Sequence, residues 1–446
     1  MSQDTQRKPA EKPAPRSGSP DGGPRVALVL SGGGARGAYE AGVLSVLVPA
    51  LEARGESPTV FVGSSVGAIN AAGLAAFWHL GPAGATAAGL EIWRSVDKDA
   101  VIRPILSWQM PVTALRYAGG ILSIPRMRVP SLLDPEPLRE NLTQWIDWSM
   151  LHRNVRNGTV DVLAVVATAA SNGRTVVFAE GQGEMIEDVL KRRSHVVSYA
   201  ASKIGPEHIR ASAAIPIFFP PVRIRSPRTA SGWYIDGGTR LNTPLKPALD
   251  LGAHRIVVVG MDAVSEPQAA PHSQAHGEPP DFGDGALHVL QGRLVDPMIE
   301  DVRMLGNANV FFASGSRSAD AYRAARGKPP YRVVPYIFIS PARRGAIGEL
   351  ASAVFKSNYG SLTGWIEVRG LRGGVRGTDF RLLNRLIGAD SPTHGELLSY
   401  LFFDRDFIEE LIKMGQEDAH RWLVEPPGPS EPWQIEPLDR FLPTDD

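Results

Sequence analysis

A chain of 446 residues, 43% of them hydrophobic, can bury a large core and divide into two or three structural units. Lys plus Arg and Asp plus Glu each total 47, so no net field draws the protein toward nucleic acid or anionic lipid. The absence of cysteine excludes disulfides, thiolate nucleophiles and Cys-ligated metal sites, and it fits a reducing compartment slightly better than an oxidising one.

In chain order, residues 1–24 are rich in Pro, Gly, Ser, Lys and Arg and lack the apolar core of a signal peptide, so they read as a disordered tail on a cytoplasmic protein. Arg25 to Leu30 is a β-branched apolar run that ends in a glycine cluster, the pattern of a buried parallel strand entering a tight turn. Ala38 to Arg54 reads as a helix. Thr59 to Val62 makes a second strand, which runs through a Gly-Ser turn into a helical segment from Val66 to His79. Strand, turn and helix given twice argue for an α/β sheet with functional turns at the carboxyl ends of its strands.

Residues 97–150 carry Trp108, Met110, Ile121, Leu122, Ile124, Trp145 and Trp148 among prolines and arginines, a composition that suits a cap over a pocket and equally an ordinary subdomain. Further strands are expected at Val160–Thr168, Thr175–Ala179, Val222–Ile224, Arg255–Gly260 and Tyr331–Ile339, and helices at Glu187–Ala200 and Leu245–Leu251; the sheet is expected to be mixed. Residues 264–285 read as a mobile loop, and 343–446 as a mainly helical extension in which Leu397 to Trp422 shows helical periodicity. The most apolar stretches, Val66–Leu80 and Arg255–Met261, fall short of the roughly 20 residues that span a bilayer. Any membrane contact is therefore expected to be peripheral.

Gly63-Ser64-Ser65-Val66-Gly67 fits G-x-S-x-G at a strand-to-helix junction. Glycines two residues either side of Ser65 allow strand and helix to approach while the serine takes a strained conformation at the positive end of the helix. Ser65 is the candidate nucleophile. Gly32-Gly33-Gly34-Ala35-Arg36-Gly37 satisfies a dinucleotide fingerprint, but that fingerprint requires an acid closing the second strand, and Gly63-Ser64-Ser65 stands there instead. A Walker-type loop fails for want of a following Lys-Ser or Lys-Thr. The glycines suit converging N–H groups that hold an oxyanion, and Arg36 either braces the loop or is a solvated surface residue at the start of a helix.

A hydroxyl nucleophile needs a base. Asp236, followed by Gly237 and Gly238 and preceded by Trp233-Tyr234-Ile235, is the candidate; a plain Asp-Gly turn is the ordinary alternative. His254, His272, His276, His288 and His394 come late enough for a Ser-His-Asp triad, though none has a supporting local pattern.

Taken together, Gly32–Gly37, Gly63–Gly67, Asp236-Gly237-Gly238 and the Ala211–Pro220 stretch resemble the patatin-like phospholipases and acyl hydrolases, and Ser131–Arg139 is similar to a linker of bacterial members. The resemblance covers Arg25 to Met261 well and Gly285 to Pro341 loosely, giving a catalytic domain over 25–342. It implies a three-layer α/β/α sandwich around a mostly parallel sheet, a Ser65–Asp236 dyad without histidine, an oxyanion loop formed by Gly32, Gly33, Gly34, Arg36 and Gly37, and motif support from Gly63, Val66, Gly67, Gly237 and Gly238. It implies lipid acyl esters as substrates, with no cofactor, metal or nucleic acid required. A binding protein with a dinucleotide site, and a regulatory protein using the C-terminal helices as an interaction surface, are the competing readings.

Overall fold

A computed structural model of the chain describes residues 23–103, 133–191, 196–216, 218–263, 296–313, 315, 317–326, 330–359, 394–425 and 432–438. The expected tail up to residue 22, Trp108, Met110 and their neighbours in 104–132, and the expected loop at 264–285 lie outside the described residues.

Among the described residues nine strands form one sheet: β1 (Val26–Leu30), β2 (Pro58–Ser64), β3 (Val162–Ala169), β4 (Thr175–Gly181), β5 (Val197–Ala201), β6 (Val222–Ile224), β7 (Gly232–Asp236), β8 (Arg255–Val259) and β9 (Tyr336–Ile339). The order is β5-β4-β3-β2-β1-β8-β9, parallel except between β3 and β4, with β7 antiparallel to β3 and β6 antiparallel to β7. Central β1 reads VALVL and is buried along its whole length, as a strand covered on both faces must be. Its Val26, Leu28 and Leu30 enter one apolar cluster and its Ala27 and Val29 the other, so the sheet is the middle of three layers.

One outer layer contains α1 (Gly37–Ala53), α2 (Val66–Phe77) and α3 (Pro82–Ser95), joined by α4 (Glu136–Trp145) and α5 (Pro206–Ser212). The other is built around Leu245–Asp250 and α6 (Asp296–Ala313), which contribute Leu245, Ala248, Met298 and Val302. Two C-terminal helices, α7 (His394–Leu401) and α8 (Arg405–Val424), join the α1 side. Asp404 separates them, its Oδ1 accepting from the amides of Asp406 and Phe407 as the N-cap of α8. The α1–α8 crossing is close enough that a Cβ on Gly42 would collide with the Ile412 carbonyl and one on Gly415 with that of Tyr39.

Two elements depart from the sequence pattern. The helix expected over Glu187–Ala200 divides into a helix at Glu184–Lys191 and strand β5, because Val197 to Ala201 pair in parallel with Thr175 to Ala179. Sheet pairing there overrides a helical periodicity. Strand β9 is shorter than Tyr331–Ile339, since Pro335 cannot donate to a ladder and the strand begins after it. Among the described residues, no helix is long and apolar enough to cross a membrane.

Candidate active site

The pairing of β3 brings two distant segments together. Along one edge of β3, strand β2 pairs as far as Ser64 opposite Val166, and β7 then takes over from the other direction, with Asp236 opposite Ala167. The carboxyl ends of β2 and β7 thus converge, delivering Ser65 and Asp236 to one point. A Cβ on Gly237 would collide with the Val166 carbonyl and lie 2.8 Å from Ser64 Oγ, so glycine is required where the two strand ends meet.

Ser65 has φ 53° and ψ −124°, and it is the one non-glycine residue with positive φ among those described. Such a conformation costs on the order of 1–3 kcal/mol and persists only where the surroundings enforce it. The flanking glycines permit the enforcement: a Cβ on Gly63 would strike the Gly67 carbonyl, and one on Gly67 the Leu30 carbonyl. The Ser65 amide donates to Ser212 Oγ at 2.8 Å, which leaves the side chain standing at the N-terminus of α2.

Asp236 is 5% exposed. Its amide donates to the Ala214 carbonyl at 2.9 Å, and its Oδ1 accepts from the Gly238 amide at 2.7 Å, while among the described residues no donor stands in hydrogen-bonding geometry to Oδ2. Burial pushes this carboxyl up to about 7, against the opposing pull of the Ser65 side chain and the Gly238 amide. A carboxylate so poised can accept a proton near neutral pH.

The glycine loop lies against Ser65, since a Cβ on Gly32 would fall 3.0 Å from that of Ser65. Its amides have different duties. Gly32 N–H donates to Asn242 Oδ1 at 3.1 Å, Arg36 N–H to the Gly33 carbonyl at 3.2 Å, and Gly37 N–H to the carbonyls of Ala35 and Gly34. Among the described residues, the amides of Gly33, Gly34 and Ala35 carry no such bond. The Arg36 side chain turns away into the C-terminal segment, where it donates to Ser399 Oγ at 2.7 Å, to the Glu396 carbonyl at 2.9 Å and to the Glu396 carboxylate, and lies 4.2 Å from the Tyr400 ring centre. Arg36 therefore braces the loop rather than facing Ser65.

Behind the loop, Glu40 is fully buried, its carboxylate accepting from the Ser31 amide at 3.0 Å and Asn70 Nδ2 at 2.6 Å. Burial pushes this group up to about 8. Asn70 also donates to the Gly37 carbonyl at 3.1 Å and accepts from Trp93 Nε1 at 2.9 Å, tying α1, α2 and α3 beneath the site.

From Ser65 and Gly34 an apolar cavity extends between α2 and α3. Leu138, Trp145 and Ile146 wall it from the 97–150 region and Phe403 from the C-terminal segment.

Of the histidines, Nδ1 of His254 accepts from the Arg25 amide at the amino ends of β1 and β8, across the sheet from Ser65 at the carboxyl end of β2. His272, His276 and His288 lie outside the described residues, as does the side chain of His394. Among the described residues no group of three or more His, Asp or Glu is arranged to hold a metal ion. Sequence reasoning missed Ser212, Asn242, Glu40, Asn70 and Glu396. Ser212 and Asn242 had a signal in lying beside the Ala-rich turn and the Asp-Gly-Gly motif, whereas Glu40 and Glu396 stand in unremarkable helical sequence.

A family model described as patatin-like phospholipase matches residues 28–249. No curated protein matches the chain. Among solved structures, VipD from Legionella pneumophila aligns at 15% identity over 90% of this chain and 75% of that one, with a TM-score of 0.29, a likeness that bears no further weight.

Proposed function

The chain belongs, through residues 28–249, to the patatin-like phospholipases, a family of lipid acyl hydrolases, and from that premise we propose that it cleaves acyl esters of phospholipids or lysophospholipids through a Ser65–Asp236 dyad. Ser65 Oγ attacks the ester carbonyl carbon as its proton passes to Asp236 Oδ2, and the carbonyl oxygen becomes an oxyanion facing the Gly33 and Gly34 amides. The carbon–oxygen bond to the leaving alcohol then breaks, the alcohol takes the proton from Asp236, and Ser65 is left acylated. Water gives a proton to the same carboxylate and attacks the acyl-enzyme, and the proton returns to Ser65 as the fatty acid departs.

The observation that carries this reading is the convergence of the ends of β2 and β7, which brings a strained serine lining an apolar cavity together with a buried aspartate whose Oδ2 has no partner among the described residues. Oδ2 is where a serine proton would go, and the cavity is where an acyl chain would lie. We further read residues 25–342 as the catalytic domain, 97–150 as the cap over that cavity and 343–446 as a helical addition. The lipid substrate implies transient contact with a membrane surface.

The test is hydrolysis of nitrophenyl butyrate and a fluorogenic phospholipid in vesicles by wild type, Ser65→Ala and Asp236→Asn, with fluorophosphonate labelling read by intact mass. Turnover in wild type alone, with the label lost in Ser65→Ala, supports the dyad. An inert, unlabelled wild type overturns the hydrolase reading, and an active Asp236→Asn overturns the assignment of the base.

A further inference from the structure

Two residues lining the cavity are glycines in helix interiors, Gly73 of α2 and Gly89 of α3. Glycine is the poorest residue for a helix interior after proline, so its presence twice in one cavity wall asks for a cause. Backbone conformation is not the cause, since neither residue has positive φ. Close approach is not the cause either. At Gly37, Gly42, Gly63 and Gly67 a Cβ would run into neighbouring atoms, whereas at Gly73 and Gly89 no described atom lies within 4 Å of its place. What a side chain would take up at these two positions is the cavity itself.

Their level in the cavity follows from the helix register. Trp93 Nε1 bonds to Asn70 Oδ1 and pins α3 antiparallel to α2 near the Ser65 end. One turn onward from Asn70 along α2 stands Gly73, and one turn back from Trp93 along α3 stands Gly89, so the two flank the same level. Eight residues of helix separate Ser65 from Gly73, a rise of ~12 Å, comparable to on the order of ten methylene groups of extended chain.

We propose that Gly73 and Gly89 hold the remote part of the cavity open and so determine the acyl-chain length the enzyme accepts, giving it a preference for esters of chains that reach past this level over short ones. The proposal rests on the reading of Ser65 as the nucleophile.

The test compares wild type with Gly73→Leu, Gly89→Leu and the milder Gly73→Ala and Gly89→Ala on nitrophenyl butyrate, decanoate and palmitate. The quantity read is the ratio of kcat/KM for palmitate to that for butyrate, in which any inactive fraction of a poorly folded variant cancels. The ratio is expected to fall about tenfold or more in each Leu variant, since two or three methylene contacts are lost, and by less in the Ala variants. An unchanged ratio in both Leu variants overturns the proposal while leaving the dyad intact. Should wild type prove inert on every ester, calorimetric titration with palmitate decides: binding weakened about tenfold by the Leu changes sustains the cavity assignment without the hydrolase reading, and absent or equal binding overturns it.

Discussion

The backbone amide of Ser65 is held by the Ser212 hydroxyl at 2.8 Å, and that hydroxyl donates in turn to the Val166 carbonyl at 2.6 Å. The same segment also holds Asp236, the proposed base, because the Ala214 carbonyl accepts from the Asp236 amide and the Ser212 carbonyl from that of Gly237. Ser212→Ala strands a buried N–H and a buried carbonyl, a loss of about 1–3 kcal/mol, and it removes one restraint on the strained Ser65. Thermal unfolding should shift down by several degrees, and kcat should fall more than KM changes. An unaltered kcat in a correctly folded variant would show that the turn holds without Ser212.

The buried carboxyl of Asp236 gives two pH signatures. A base must be ionised, so kcat/KM should drop about tenfold per pH unit below an apparent pKa near 7, rather than near the ordinary aspartate value of 3.8. The stability signature has the opposite slope. A carboxyl raised in the folded state favours folding fully below about 3.8, and that contribution is lost as pH rises through about 7. Asp236→Asn should therefore be more stable than wild type at about pH 8, by up to a limit on the order of 4 kcal/mol, with the difference vanishing near pH 4. Denaturant titrations of both proteins at the two pH values measure it.

Much of the geometry of the candidate site was legible because the residue types that shape it are local. The glycines around Ser65 and the Asp-Gly-Gly turn announce themselves through residue types that a tight strand end demands, and the VALVL run of β1 declares a strand buried on both faces. The supports were not legible, since Ser212, Asn242 and Glu396 act over separations of 147, 210 and 360 residues, which no local pattern encodes. Strand β5 escaped for a related reason: Val197 to Ala201 are a strand by virtue of β4 beside them.

Within the C-terminal extension, α8 is packed against α1 through the paired glycines Gly42 and Gly415. A Cβ at Gly415 meets the Tyr39 carbonyl and lies 2.9 Å from the Val43 amide, neither of which can yield without moving the helix that follows the glycine loop. Gly415→Ala should cost about 1–3 kcal/mol despite alanine's better helix propensity. Urea unfolding monitored by circular dichroism measures the change; a stabilised variant would mean that the helices separate freely.

Arg36 and Glu396 make the same connection with charge. The guanidinium is 1% exposed, and its partners, apart from the Met261 carbonyl, come from α7. Glu396 Oε1 also accepts from the Gly348 amide at 3.1 Å, so its carboxylate joins the loop, α7 and the helix at Ala346–Tyr359. Removing one partner of such a pair leaves a buried charge without its counter-ion, at a cost of about 3–5 kcal/mol. Glu396→Gln keeps the shape and removes the charge, so it should destabilise the fold by an amount near that range. Because only Ala35 separates Gly34 from Arg36, the same change should slow fluorophosphonate labelling of Ser65 under conditions where the variant remains folded. A stable Glu396→Gln protein that labels at the wild-type rate would mean that the C-terminal helices cover the loop without holding it.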